Sequence, residues 1–298
     1  MLKLHSLLTF VATAETGSIS EAARRLQISK SVASDRLAEL ERNVGATLIR
    51  RSTRKLVLTE AGIAFAERAK RILREVSDAT EEISERRGEL VGPLRISAPV
   101  SFGILHLGAA LNEFQKQNPR IELSIDLNDR FVGTADGFDA VIRHGPLPDN
   151  RWITKRIALS RRLLVASPDY LKENRPPRTI GDLERHRGII YSNRGVADWR
   201  FRQSGRWSVV RPGAALHVNN GILMRDAALA GLGIALLTTF IVHDDVRSGR
   251  LRVLNVDAEA ESATIFIAYP KDGRVSAKVQ ALAAHLRKAF GAPPYWEQ

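Results

Sequence analysis

The 298-residue chain contains no cysteine. This excludes disulfides, thiolate zinc sites, cysteine nucleophiles, cysteine-ligated iron–sulfur clusters and thiol-based redox sensing, and it fits a reducing compartment. No run of about 18 apolar residues occurs, so no transmembrane helix is expected. Catalytic signatures are missing as well. There is no H-E-x-x-H, G-x-S-x-G, P-loop or G-x-G-x-x-G, and the seven histidines are scattered singly. Gly231-Leu232-Gly233-Ile234 lacks the third glycine of a dinucleotide fingerprint, and Asp244-Asp245 reads as the polar end of a helix. No enzyme, cofactor or metal site is expected. Acidic residues are the other shortage: 33 against 45 basic ones leave a net charge of +12. A polyanionic partner follows, nucleic acid first and an anionic membrane second. With 44% hydrophobic and 26% charged residues, the chain should fold as a soluble protein of two or three domains.

The first residues imitate a secretory signal, with Lys3, an apolar stretch from Leu4 to Val11, and Ala12-Thr13-Ala14. His5, Ser6 and Thr9 interrupt the apolar stretch, however, and Leu4, Leu7, Leu8 and Val11 have the spacing of an amphipathic helix. That helix should run to about Glu15 and end at Gly17. Ser18 and Glu21 form a capping box opening a second helix through Leu26. After the turn Gln27-Ile28-Ser29, Ser29 caps a third helix reaching about Asn43, with Val32, Leu37 and Leu40 facing inward. Two short strands, Leu48–Arg50 and Leu56–Leu58, flank a polar turn.

This is a helix-turn-helix with a wing. Small Ala22 and Ala23 let the two helices cross, and Leu26, Ile28 and Val32 fill the angle. The second helix of such a unit enters the major groove N-terminus first. The DNA-contact candidates there are Ser29, Lys30, Ser31, Ser34, Asp35 and Arg36. Lys30 can donate to guanine, and Asp35 can accept from cytosine or pair with an arginine. Arg50, Arg51, Thr53, Arg54 and Lys55 on the wing are placed for phosphate or minor-groove contacts.

Thr59 caps a long helix to about Arg87. Phe65, Ala69, Ile72, Val76, Ala79 and Ile83 follow alternating steps of four and three, a heptad seam expected to dimerise the chain. Gly88, Gly92 and Pro93 end it. Strands then alternate with helices, which predicts an α/β module with a parallel sheet. The strands are expected at Leu94–Ala98, Ile121–Leu127, Ala140–Arg143, Arg162–Ala166, Gly233–Leu237 and Ser262–Ala268. The helices are expected over Ser101–Asn118, Asn220–Ala230 and Val275–Phe290. The length beyond residue 92 suits two lobes. Pro293-Pro294 begins a tail without evident role.

The chain resembles the LysR-type transcriptional regulators throughout. The resemblance is strongest in Phe10-Val11-Ala12, Gly17-Ser18, Ala22-Ala23, Leu26, Ser34, Leu40-Glu41, Gly45, Leu48, Arg51, Leu58-Thr59 and Ala61-Gly62. Ile49 replaces the usual Phe, and Lys30 and Asp35 depart from the usual residues, so base preference does not carry over. The resemblance implies three parts. Residues 1–58 are a mostly-α winged helix-turn-helix and residues 59–91 a dimerising linker helix. Residues 92–298 are an effector domain like type II periplasmic binding proteins, with lobe I over about 92–161 and 266–298 and lobe II over about 162–265. It further implies a homotetramer bound to double-stranded DNA near a promoter, acting on RNA polymerase in the cytoplasm.

Ligands in such modules sit at the carboxyl ends of strands, against helix N-termini. Candidate effector contacts are Pro99, Val100, Ser101 and Phe102, then Asn128 and Arg130, then Asn219 and Asn220, then Thr238 and Thr239. Backbone N–H groups and the Ser101 hydroxyl suit a carboxylate, while Phe102 is a candidate apolar wall and Trp199 reads first as local core and only then as a second wall. The +12 divides unevenly: +5 for residues 1–58, −2 for 59–91 and +9 for 92–298, with +6 between Lys172 and Arg211. That basic stretch is either a solvated surface or a field for an anionic effector or DNA. The module alone would also suit a solute-binding protein, and an α/β enzyme with an accessory DNA-binding domain is the third reading.

Overall fold

The computed structural model describes residues 2–51, 56–85, 89–129, 137–145, 151–193, 199–271 and 275–298. They form two units, Met1–Glu89 and Leu90–Gln298.

In the N-terminal unit, α1 (Leu4–Thr16) ends at Gly17, which takes the left-handed conformation at φ 64°. Helix α2 (Ile19–Arg25) and α3 (Lys30–Val44) follow, then β1 (Ile49–Arg51) paired antiparallel with β2 (Leu56–Leu58), and α4 (Glu60–Glu85). The core of this unit includes Leu7, Phe10, Ile19, Ala23, Ala33, Leu37, Leu40 and Leu48. Three expectations need correction. Leu4 and Leu8 of α1 are exposed, and buried Thr9 and Thr13 share the inner face. Their hydroxyls donate to the carbonyls of His5 and Thr9 at 2.8 and 2.7 Å, so burying them strands no polar group. Val32 is 39% exposed, because the inward stripe of α3 runs through Ala33, Leu37 and Leu40 at i, i+4 and i+7. The capping box is half formed. Ser18 Oγ accepts from the Glu21 N–H at 3.3 Å, but the Glu21 carboxylate pairs with Arg24 at 2.9 Å.

Gly62 shows how closely α4 leaves the wing. A Cβ there would lie 2.1 Å from the Leu48 carbonyl oxygen, so only glycine fits. The Thr59 hydroxyl accepts from the Gly62 N–H at 2.9 Å and caps the helix as expected.

The C-terminal unit starts with β3 (Gly92–Ala98). A helical run follows, made of α5 (Val100–Phe102), a π-helical turn Gly103–Leu107 and α6 (Gly108–Gln117). Next come β4 (Ile121–Leu127), β5 (Ala140–His144) and β6 (Trp152–Ser160). Arg161 alone carries the chain across to β7 (Arg162–Ala166). The second lobe continues through α7 (Pro168–Glu173), β8 (Arg187–Tyr191), β9 (Arg200–Gln203), β10 (Arg206–Val209), β11 (Gly213–Val218), α8 (Gly221–Leu229), β12 (Ile234–Thr238), α9 (Thr239–Arg247), β13 (Arg252–Val253) and β14 (Glu259–Ala260). The chain returns as β15 (Ala263–Pro270), and α10 (Ala277–Phe290) packs on the first lobe before a final 3-10 turn, Tyr295–Glu297.

The two large sheets have the orders β4-β3-β5-β15-β6 and β11-β8-β12-β7-β13, and a small third sheet has the order β10-β9-β14. The large sheets are mixed rather than parallel. β15 runs antiparallel to β5 and β6, and β7 antiparallel to β12. The reason is topological: a chain that crosses between lobes twice must enter one sheet against the direction of its neighbours. The return falls near residue 263, slightly earlier than expected.

Candidate nucleic-acid interface and effector cleft

The first turn of α3 is built to be presented. Ser29 takes extended backbone angles, and its hydroxyl accepts from the Val32 N–H at 3.2 Å. Ser29, Lys30, Ser31, Val32 and Asp35 are exposed, while Ser34 and Arg36 are half-buried. The inward stripe anchors the opposite face, so the first turn faces solvent as a group. Val32 is the residue missed by the sequence reasoning. Its methyl groups among polar neighbours offer the apolar contact that a thymine methyl accepts. The signal was available, since Val32 lies off the 33/37/40 stripe.

Glu41 sets the base of the wing. Its Oε1 accepts from the Leu48 N–H at 2.7 Å and the Ile49 N–H at 3.0 Å, tying α3 to β1. Arg50 is exposed on β1. Thr53, Arg54, Lys55 and the side chain of Arg51 lie outside the described residues.

The seam on α4 is divided. Ala69 has no exposed surface, and Phe65 packs edge-on against Phe10 at 5.5 Å between ring centroids, so both belong to the chain's own core. This corrects their assignment to a dimer seam. Ile72, Val76 and Ile83 are 45%, 42% and 60% exposed. With Glu75 and Ala79 they line an open, largely apolar hollow of about 470 Å³.

In the C-terminal unit, Val100, Ser101, Asn128 and the start of α8 come together. The Val100 N–H donates to Asp129 Oδ1 at 3.1 Å. A Cβ on Gly221 would lie 3.4 Å from Ser101 Oγ, so the two lobes meet here, and 2.5 Å from Ile241 Cδ1 within the second lobe. Pro99 flanks the helical run without capping it through a side chain, and Asn219 is exposed. Asn220 caps α8, its Oδ1 accepting from the Ile222 and Leu223 N–H groups at 3.0 and 3.2 Å. The hydroxyl of Thr238 is buried with no partner among the described residues.

Three candidates point elsewhere. Phe102 is 1% exposed and packs edge-on against Phe240, Phe290 and Trp296 at 5.2–5.9 Å, so it is core rather than a cleft wall. Thr239 is buried, and its hydroxyl donates to the Glu297 carboxylate. Trp199 has no exposed surface and packs in the core of the second lobe. Arg130 lies outside the described residues.

Asp129 lies between the expected contacts Asn128 and Arg130, and Arg143 is marked in the sequence only as a strand end. Arg143 follows the apolar run Ala140-Val141-Ile142 within β5, the one visible signal. Its Nη2 donates to Ser97 Oγ at 2.9 Å and its Nη1 to the Ile142 carbonyl at 2.7 Å. Asn128 Nδ2 reaches the same Ser97 Oγ at 3.4 Å and also bonds Asp126. Burial raises the Asp129 pKa and lowers that of Arg143, pushing both groups toward neutrality. Their mutual attraction opposes both shifts, as does the Val100 N–H for Asp129.

The histidines are less scattered in space than in sequence. His106 and His243 have ring centroids 5.9 Å apart, beside Tyr295. Among the described residues no group of histidine and carboxylate side chains is arranged to hold a metal. No helix among them is long and apolar enough to cross a membrane.

A winged helix-turn-helix carrying a capped, exposed second helix, together with a two-lobed α/β module, defines a ligand-responsive DNA-binding regulator. The profile "Bacterial regulatory helix-turn-helix protein, lysR family" matches residues 4–63, and "LysR substrate binding domain" matches residues 87–291. The chain belongs to the LysR family of transcriptional regulators, and it is a regulator rather than an enzyme. An uncharacterized HTH-type transcriptional regulator of Haemophilus influenzae is 30% identical over 288 residues, 95% of this chain and 99% of that protein. The structure of CrgA, a LysR-type transcriptional regulator from Neisseria meningitidis, superposes with TM-score 0.61 at 25% identity, covering 96% and 99% of the two chains. That of AphB, the Vibrio cholerae virulence activator, gives 0.60 at 26% identity over 95% and 98%.

Proposed function

We propose that this regulator reads a two-half-site operator through α3 and responds to a small molecule held between the lobes of its C-terminal module. The observation that carries the reading is the first turn of α3, where Ser29, Lys30, Ser31, Val32 and Asp35 stand exposed together on a helix anchored from behind. Lys30, Val32 and Asp35 contact base edges, and Ser29, Ser31, Ser34 and Arg36 contact bases or phosphates. Arg50, Arg51, Thr53, Arg54 and Lys55 of the wing hold the backbone. Ile72, Val76, Ala79 and Ile83 pair two chains through α4, and pairs of dimers form a tetramer in the cytoplasm that alters RNA polymerase access.

The effector reaches Ser101, Asn128, Asn220 and Thr238. The Asp129 carboxylate already holds the Val100 N–H, so an anionic effector enters by displacing a built-in anion. Displacement regulates only if the effector binds the two arrangements unequally. A mobility-shift titration on DNA flanking the protein's own gene tests the central reading. Sequence-selective, salt-sensitive binding is expected, and uniform binding to all DNA overturns it.

A further inference from the structure

The tail that looks idle in the sequence packs at the junction of the two lobes, with Tyr295 partly exposed and Trp296 and the Glu297 side chain buried. Trp296 is 2% exposed, with its ring centroid 4.7 Å from His106 and 5.2 Å from Phe290. Its Nε1–H donates to the Leu159 carbonyl at 2.9 Å, near the end of β6. The Glu297 side chain is 3% exposed. One carboxylate oxygen accepts from the Arg161 N–H at 2.8 Å and from the Thr239 hydroxyl, and the other meets Arg161 Nε at 2.5 Å. The Tyr295 hydroxyl lies 2.5 Å from His106 Nδ1, and His106 Nε2 lies 2.7 Å from the Phe240 carbonyl. A carbonyl only accepts, so Nε2 carries the proton and Nδ1 accepts from Tyr295.

Three consecutive residues thus reach the first lobe at His106 and Leu159, the crossing residue Arg161, and the start of α9 in the second lobe at Thr239. The apolar contacts at this junction, Phe102 on Phe240 among them, are non-directional and hold over a range of lobe angles. Hydrogen bonds weaken steeply with angle and distance, so the polar pins select one arrangement. The pinned groups adjoin the cleft. Ser101 shares a helical run with His106, and Thr238 precedes Thr239.

We infer that Tyr295, Trp296 and Glu297 are positioning residues that strap the lobes at one angle, so that an effector must overcome these pins to change the cleft. The consequence for regulation rests on the effector reading above. The test uses no effector, so failure of the strap is separable from failure of that reading.

The absence of native cysteine permits clean site-specific labelling of the full chain. Gln117→Cys in α6 and Glu173→Cys in α7, both exposed, place one nitroxide on each lobe. Ser124→Cys and Thr154→Cys place a control pair on β4 and β6, opposite edges of one sheet and about 19 Å apart at four strand spacings. Labelled chains are diluted with unlabelled protein so that pulsed electron spin resonance reads intrachain distances. Glu297→Ala should widen the interlobe distribution about twofold and leave the control pair unchanged. Tyr295→Phe, which removes only the hydroxyl bond to His106, should widen it less. If Glu297→Ala does not fold, Glu297→Gln replaces it with the same criteria. It keeps an acceptor for the Arg161 N–H and drops the charge. An interlobe width equal to the parent's, or equal broadening of both pairs, overturns the inference.

Discussion

Replacing Glu41 by alanine should destabilise the N-terminal unit by about 2–4 kcal/mol and weaken DNA binding with it. The magnitude follows from one oxygen serving two donors, the Leu48 and Ile49 N–H groups at 2.7 and 3.0 Å. Leu48 is 1% exposed and Ile49 7%, so water replaces the lost acceptor poorly. Each stranded donor costs about 1–3 kcal/mol. The two share a partner, so the total falls short of a sum of independent losses. Against a typical domain stability of about 5–15 kcal/mol, this is large but leaves a folded population. The tryptophans make the assay selective. Trp152, Trp199, Trp207 and Trp296 all lie in the C-terminal unit, so their fluorescence is silent on the N-terminal one. Far-ultraviolet circular dichroism follows the helices of both. In a urea titration at fixed protein concentration, Glu41→Ala should move a dichroism transition to lower urea and leave the fluorescence transition in place. Glu41→Gln retains an acceptor oxygen and should lose less than half as much. If fluorescence shifts as far as dichroism, or Gln costs as much as Ala, the hydrogen-bond argument is wrong.

Val76→Asp should weaken self-association in analytical ultracentrifugation, because it places a charge on the exposed apolar stretch of α4; unchanged association would remove that stretch from the interface. Lys30→Ala should cost about 1–3 kcal/mol on the operator alone if Lys30 reads a base, and equal losses on every sequence would make it a phosphate contact. Asp129→Asn weakens the built-in anion at Val100, so thermal-shift titration with benzoate and succinate should show tighter binding than in the parent; equal or weaker binding contradicts displacement. Burial lowers the pKa of His106 below its ordinary 6.5, helped by His243 and opposed by the Phe240 carbonyl and Asp244. The unfolded chain therefore binds the proton first. This contribution is full above pH 6.5 and lost as the pH falls through the depressed value. His106→Gln should flatten that slope in urea midpoints followed by tryptophan fluorescence.

The helix-turn-helix is legible in the sequence because its signals are local. Gly17, Ser29 and Gly45 mark helix ends with backbone and capping chemistry that needs no distant partner, and the observed ends fall within a residue or two. Errors begin where a long-range partner decides. The heptad steps on α4 show that one face must be covered, but not by what. Phe10 of α1 covers the first part, a contact between residues far apart in sequence. Val32 is a different case, because its position off the stripe of Ala33, Leu37 and Leu40 is legible locally. In the C-terminal unit the six expected strands are placed well, but β8, β9, β10, β11, β13 and β14 are not anticipated, and neither is β6. Its pattern of exposed and buried residues follows its pairing with β15, which begins about a hundred residues later. The tail is the extreme case. Nothing in Pro294-Tyr295-Trp296-Glu297 announces Leu159, Arg161 or Thr239 as partners.

Charge shows the same limit. Lys172 to Arg211 counts as +6 along the chain, but the partners of two of its arginines lie beyond it. Arg202 pairs with Glu259 at 2.9 Å and Arg200 with Glu261 at 3.4 Å. Both guanidinium groups also lie over Trp207, 4.7 Å from the ring centroid for Arg200 and 5.9 Å for Arg202. The hairpin turn Ser204-Gly205, with φ of 49° and 79°, brings the tryptophan strand back onto the arginine strand. Exposed ion pairs of this kind contribute about 0–1 kcal/mol each, but they cancel the far field of the charges they join. Charge reversal at Arg200 or Arg202 would therefore disturb the small sheet as well as the potential. Arg206, exposed at the start of β10, is the cleaner probe. If Arg206→Glu leaves DNA affinity and its salt dependence unchanged, the excess here is a solvated surface whose apparent field was an effect of counting along the chain.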